Sequence, residues 1–221
     1  MGGSEFEGAK PSGLKTSYTV ETDTYTPPNA SAVTGYDFMG WNPVNIPKGS
    51  TGNKTFNANW LGYPYTVTYN GNGHTGGSTP NSSHRYGTES SLSPHGFSRT
   101  YQVTIIPNYT GASESKQNVN YSLTGWATSA SGTKVYNDQA MVLNLTSVRN
   151  GTVTLYAKWQ QNGMTLPNLT RPTHRLEGWY TAATGGTKVG NAGATYIPTS
   201  NITLYAHWVE ETVTITFHKN A

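Results

Sequence analysis

The chain has 221 residues, of which 34% are hydrophobic and only 11% are charged, and its formal net charge is +3. Low hydrophobicity indicates disorder when it accompanies high net charge and few aromatic residues, so the fifteen Tyr and six Trp argue against disorder. Lys and Arg never form the basic runs that track phosphates, and nucleic acid is therefore not an expected partner.

No stretch approaches the ~20 apolar residues of a membrane-spanning helix, so membrane insertion is not expected. The absence of cysteine excludes disulfides and thiolate chemistry. The opening residues MGGSEF resemble the product of two adjacent cloning sites. Residues 1–16 are accordingly interpreted as a cloning remnant and linker.

Three copies of a paired tryptophan pattern divide the rest of the chain into modules. In each copy, an upstream marker ends in Gly-Trp and a downstream strand ends in Trp. The markers GYDFMGW, NYSLTGW and THRLEGW end at Trp41, Trp126 and Trp179, and the strands TFNANW, TLYAKW and TLYAHW end at Trp60, Trp159 and Trp208. The pattern predicts module 1 (residues 17–62), module 2 (63–160) and module 3 (161–209).

Module 1 is the most divergent copy. Its closing strand has Phe56, Ala58 and Trp60 on one face, which is the alternation of a strand with one buried side. Its Gly-Trp marker keeps Phe38 two residues before the glycine, so Phe38 is predicted to face inward.

Module 2 begins with YTVTYNGNGHTGG (residues 65–77), an alternating strand that runs into the glycine spacing GxGxxG. A dinucleotide site with this spacing needs a helix after the glycines and an acidic residue at the end of a second strand. The next residues, GGSTPNSSHRYGTESS, are too rich in Ser, Gly and Pro for a helix. The stretch is therefore predicted to be a leading strand followed by a flexible turn.

Module 2 also contains an insertion, TYQVTIIPNYTGASESKQNVNYS (residues 100–122). Tyr101, Val103 and Ile105 alternate before a Pro-Asn-Tyr-Thr-Gly turn, so the insertion is predicted to add a hairpin. The closing strand then places four residues on one face, namely Val153, Leu155, Ala157 and Trp159.

Module 3 repeats the closing strand from Ile202 to Trp208 but shows no clear leading strand. The final residues TVTITFHKNA (212–221) repeat the alternation of the module 2 leading strand. Residues 210–221 are predicted to be the leading strand of a further repeat, and the alternative that residues 212–217 complete module 3 stays open. The chain is interpreted as a piece of a longer array.

Taken together, these motifs resemble the Listeria-Bacteroides repeat family, also called the InlB B-repeat family. Its pattern is a leading strand with an Asn-Gly-Gly turn, a Tyr-x-Phe-x-Gly-Trp element, a Gly-Gly-Thr-Lys turn and a closing Thr-Leu-Tyr-Ala-x-Trp strand. The Gly-Thr-Lys turn recurs at residues 132–134 and 186–188 and is missing from module 1. The sequence alone predicts a mainly β protein of small tandem modules with little helix, and the resemblance implies β-grasp-like or sandwich-like sheets.

Aromatic residues supply the candidate core and the candidate ligand contacts. All six tryptophans are predicted to lie in the cores, because each marker recurs and the closing strands alternate apolar and polar residues. Tyr156 and Tyr205 are predicted on the outer face of the closing strands, and Tyr101 and Tyr109 lie in the insertion. For these four tyrosines, stacking on a neighbouring module or strand is favoured, and contact with a sugar ligand is the alternative.

Catalytic and metal-binding patterns are missing from the sequence. The six His show no HExxH motif and no paired ligand spacing. No carboxylate recurs between the modules, and there is no GxSxG nucleophile motif. We expect no enzyme activity, no metal and no cofactor. Lys134 and Lys188, in the Gly-Thr-Lys turns, are expected to be solvated rather than joined to Asn in isopeptide bonds.

Tandem modules with separate cores add length to a chain. The first functional hypothesis is a non-enzymatic stalk or spacer in a large bacterial surface or secreted protein, with neighbouring repeats and other domains of that protein as partners. The alternative is an adhesive module that binds host glycan, mucin or protein. By resemblance, the expected location is extracellular, at the cell surface or cell wall.

Overall fold

The computed structural model describes residues 11–219, and these form a mainly β protein without helix. Most of the predicted cloning remnant lies in residues 1–10, outside the described residues. Fifteen strands follow one another along the described chain: β1 (Tyr36–Asn42), β2 (Asn57–Gly62), β3 (Pro64–Asn70), β4 (Gly76–Gly77), β5 (Ser82–Arg85), β6 (Ser90–Ser91), β7 (Phe97–Ile106), β8 (Ser115–Ala127), β9 (Met141–Val142), β10 (Gly151–Gln160), β11 (Met164–Thr165), β12 (His174–Tyr180), β13 (Lys188–Gly190), β14 (Thr195–Tyr196) and β15 (Ile202–Glu210).

Module 1 contains a two-stranded antiparallel sheet, β1 with β2. The Phe38 ring centroid lies 5.3 Å from those of Trp41 and Trp60, so the three rings pack on one another. In the remaining segment, an isolated bridge joins Tyr25 to Ile46. Ile46 is buried, whereas Trp41 and Trp60 are only half-buried.

A nine-stranded sheet runs through modules 2 and 3. Its strand order is β13-β12-β15-β7-β8-β10-β3-β5, with β4 paired beside β7. In module 2, the leading strand β3 runs parallel to the closing strand β10, which is antiparallel to the Gly-Trp strand β8. A parallel pair needs a long crossover connection, and here the rest of the module supplies it.

Strand β7 of the insertion is the leading strand of module 3. It runs parallel to the closing strand β15, with Ile105 opposite Leu204, just as Tyr69 of β3 lies opposite Leu155 of β10. The other edge of β7 pairs antiparallel with β8, which forms the expected hairpin. Module 3 shows no clear leading strand in its own sequence because the strand comes from the middle of module 2.

The turns that follow the two leading strands share one set of contacts. Asn72 and Asn108 occupy the same place and adopt positive φ angles of 44° and 61°, a region that Asn tolerates better than most residues. Each side-chain amide donates to two carbonyls, one of which belongs to the closing-strand alanine. The indoles of Trp159 and Trp208 donate to the carbonyls of Gly71 and Pro107, at 2.9 Å and 2.7 Å. We call this arrangement the Asn–Trp clamp.

The Gly-Trp markers coincide with β-bulges. In all three modules, the register between the Gly-Trp strand and the closing strand shifts next to the marker glycine. Gly125 has a φ of 144°, and a Cβ there would lie 2.2 Å from the Tyr136 carbonyl oxygen. The glycine therefore permits both the bulge and the close approach of the backbone.

Two hydrophobic cores lie on the large sheet. The first belongs to module 2 and comprises Tyr65, Val67, Leu92, Phe97, Trp126, Val142, Leu155 and Ala157. The second joins residues of β7 and β8 to module 3 and comprises Val103, Ile105, Val119, Met164, Leu166, Trp179, Leu204 and Ala206. The core of module 3 therefore depends on Val103, Ile105 and Val119, which lie within the sequence of module 2.

Residues 211–219 form no strand, and all of them are exposed. The apolar side chains of this segment stand in solvent, with Val213 89%, Ile215 73% and Phe217 90% exposed. Because β7 occupies the leading position of module 3, residues 212–217 do not complete that module.

Trp126→Ala is expected to lower the free energy of unfolding by about 3–5 kcal/mol, the usual cost of removing a large buried aromatic side chain. Trp126 is fully buried, whereas Trp41 is half-buried, so Trp41→Ala is the matched control and is expected to cost less. Urea unfolding of the two variants measures both values. Equal, small losses would mean that the Trp126 indole contributes no more to the free energy of unfolding than the half-buried Trp41 indole.

Candidate functional site

Tyr101 lies on β7, where modules 2 and 3 meet. Its ring meets that of Tyr121 edge-on, with centroids 5.6 Å apart. The Arg99 guanidinium lies 5.7 Å from the Tyr101 centroid and 4.9 Å from the Tyr121 centroid. The buried Tyr121 donates its hydroxyl hydrogen to the Pro198 carbonyl at 2.6 Å. The cluster therefore joins strands of module 2 to a loop of module 3.

Tyr109 lies in the turn after β7. Its ring is edge-on to Trp208, with centroids 5.6 Å apart, and the Arg171 guanidinium lies 5.6 Å from its centroid. Its hydroxyl donates to the Thr170 carbonyl at 3.4 Å. Tyr109 therefore packs against module 3, the type of contact that the sequence favours over a ligand for this residue.

The other two candidate tyrosines are half-buried on the closing strands. Tyr156 lies between β3 and β8, and Tyr205 lies opposite Tyr180 of β12. In residues 11–219, no ring contact joins any two of the four candidate tyrosines. The structure therefore places two of them at the junction of modules 2 and 3 and does not gather the four into one patch.

The six tryptophans differ in burial. Trp126 and Trp179 are fully buried. Trp159 and Trp208 are partly buried against the two cores and take part in the Asn–Trp clamps. Trp41 and Trp60, in module 1, are half-buried. The marker tryptophan is therefore fully buried in the two modules that have a leading strand and half-buried in module 1.

A buried histidine in module 2 was not singled out by the sequence. The ring nitrogens of His84 lie 2.7 Å from the Ser82 hydroxyl and 2.6 Å from the Ser90 hydroxyl. The ring stacks on Tyr65 with centroids 5.3 Å apart. Burial lowers the pKa of His84 below its ordinary value of 6.5. The alternation in NSSHR, which puts Ser82 and His84 on one face of a strand, is the sequence signal for this network.

His84 is expected to make the protein less stable in acid. Its pKa is lower in the folded state, so the unfolded chain binds more protons, and stability falls as pH drops below about 6.5. Urea unfolding at several pH values between neutrality and pH 5 measures the loss. His84→Asn is expected to reduce the loss, and His95→Asn, at an exposed position, is expected to retain it. An unchanged acid dependence in His84→Asn would contradict the assignment.

The lysines of the two Gly-Thr-Lys turns are exposed. Lys134 donates to the Asn137 side-chain oxygen at 2.9 Å, and Lys188 donates to the Glu177 carbonyl at 2.8 Å. Neither pair lies in a buried environment. Within residues 11–219, no three His, Cys, Asp or Glu side chains come together as metal ligands. No helix of the described chain is long and apolar enough to cross a membrane.

Modules 1 and 2 each carry a surface cleft. The larger, about 740 Å³, lies in module 1 between residues 15–20 and 50–56, with Tyr25 and Ile46 in its wall. The smaller, about 420 Å³, lies beside His84 and Tyr65 in module 2. The four candidate tyrosines line neither cleft.

The recurring closing strand, Gly-Trp bulge and parallel leading strand define a tandem β-repeat protein. The family model of the Listeria-Bacteroides repeat domain matches residues 65–158 and 160–207, which together are more than half of the chain. The chain belongs to this family, and its membership suggests that it is a repeat module of surface proteins. No curated protein and no solved structure matches the chain.

Proposed function

We propose that the chain is a non-enzymatic spacer in a bacterial surface or secreted protein, and that its partners are neighbouring repeats and other domains of that protein. One observation carries the proposal: β7 is bonded on one edge to β8 and on the other to β15. Two modules that share a strand form one continuous sheet. A continuous sheet suits a spacer, which must keep other domains at a fixed separation.

The shared strand makes the junction of modules 2 and 3 stiff. Bending there would break backbone hydrogen bonds of β7, each of which contributes about 0.5–1.5 kcal/mol. It would also expose Val103 and Ile105, both buried in the core of module 3. Because these losses occur together, bending this junction costs more free energy than bending a linker between two domains that have separate cores.

The junction of modules 1 and 2 rests on side chains and a few backbone bonds. The Tyr36 and Tyr86 rings meet edge-on with centroids 5.3 Å apart. Arg149 forms an ion pair with Asp37, and its guanidinium lies 4.8 Å from the Tyr63 centroid. These contacts restrict the hinge between β2 and β3, although less than a shared strand does.

The proposal places the chain outside the cell, at the surface or in the cell wall. The chain belongs to a family that suggests a repeat module of surface proteins, and this supports the proposed location. A chain without cysteine has no thiol to oxidise in such a compartment.

Binding of the whole chain to an array of host glycans, mucins and matrix proteins separates a spacer from an adhesive module. A spacer is expected to give no selective signal at high micromolar concentration, because Tyr101 and Tyr109 are engaged in packing. Tyr101→Ala and Tyr109→Ala are the control variants. A selective signal that disappears in either variant would contradict the spacer proposal and assign recognition to the β7 hairpin.

A further inference from the structure

Module 1 has no leading strand. In modules 2 and 3, the closing strand has a Gly-Trp strand on one edge and a parallel leading strand on the other. In module 1, β2 pairs with β1, and within residues 11–219 no strand pairs with residues 52–56, which align with the part of β10 and β15 that holds the leading strand. An open edge presents unpaired N–H and C=O groups, which is a template for another strand.

Gly52, Asn53, Lys54 and Phe56 of this stretch line the cleft of module 1. Phe56, in its wall, holds the place of Leu155 and Leu204 in the other closing strands. Those two leucines are fully buried and lie opposite Tyr69 and Ile105 of the leading strands. Phe56 is only half-buried. The Phe56 ring therefore lies where a leading strand would place its side chains.

Residues 212–220 carry the sequence of a leading strand. The two leading strands share one spacing, in which two alternating apolar residues are followed three positions later by Asn. This spacing recurs near the end of the chain. The three sets are Val67, Tyr69 and Asn72; Val103, Ile105 and Asn108; and Ile215, Phe217 and Asn220. Asn220 lies outside the described residues, and it matches the two clamp asparagines. The described part of this segment is exposed and unpaired.

A threonine pair gives a second match between the segment and the open edge. In module 2, the Thr68 and Thr154 hydroxyls lie 3.0 Å apart across the parallel strands. Module 3 has Thr104 opposite Thr203. By the same alignment, Thr216 of the terminal segment would lie opposite Thr55.

We propose that residues 212–219 of one copy pair in parallel with residues 52–57 of a second copy and complete its module 1. The donor and the acceptor do not meet within one copy, where the segment stands in solvent. Pairing satisfies the open edge and removes Ile215 and Phe217 from water. The contact is heterologous, so each copy offers one donor and one acceptor and the copies join head to tail. The inference does not depend on the spacer function.

Disulfide trapping tests the pairing and its register. The chain has no cysteine, so each single substitution creates a unique thiol. Tyr156 lies opposite Asn70 in module 2 and Tyr205 opposite Ile106 in module 3, which predicts Asn57 of one copy opposite His218 of another. A mixture of Asn57→Cys and His218→Cys proteins is expected to form a disulfide-linked heterodimer on mild oxidation.

The matched control mixes Asn57→Cys with Thr214→Cys, in which the second thiol is four residues, or about 13 Å, along the strand. This mixture is expected to give little heterodimer. Equal yields from the two mixtures, or no heterodimer from either, would overturn the proposal.

Sedimentation of the unmodified chain tests the assembly itself. The average mass is expected to rise with concentration, and Phe217→Asp is expected to keep the chain monomeric. His218→Asp adds the same acidic side chain at the neighbouring position, which points to the other face of a strand, and is expected to assemble as the unmodified chain does. A chain that stays monomeric at its highest soluble concentration, or assembly that persists in Phe217→Asp, would overturn the proposal.

Discussion

The parallel pairing of β7 with β15 is the contact on which the organisation of modules 2 and 3 depends. Strand β7 leaves module 2 in the middle of its sequence, supplies the leading strand of module 3, and returns through β8 to finish module 2. The two modules therefore cannot separate without losing one side of a core. A repeat array joined in this way gains its stiffness from the sheet and needs no special linker.

The Asn–Trp clamp explains how two leading strands of different sequence reach the same register. Module 2 has Gly71 and module 3 has Pro107 at the position whose carbonyl accepts from the tryptophan indole. The residue type matters little there, because only a backbone oxygen is used. Asparagine matters more, since it combines a positive φ with a side-chain amide that reaches two carbonyls.

Local pattern predicted the repeats and the closing strands, because alternation is a local property of a strand. It did not assign β7 to module 3, since Ile106-Pro107 replaces the Asn-Gly of the first leading strand and parallel pairing joins residues far apart in sequence. His84 was missed because a serine-rich strand has the composition of a loop. The packing of Tyr101 and Tyr109 depended on partners, Tyr121 and Trp208, that only the fold brings near.

Single-molecule pulling, with handles at residues 63 and 210, tests the central claim that modules 2 and 3 are one mechanical unit. Because β7 belongs to both, we predict a single unfolding event that releases the chain of the two modules together. Two separate events, in which one module unfolds while the other still bears force, would contradict the shared-strand account.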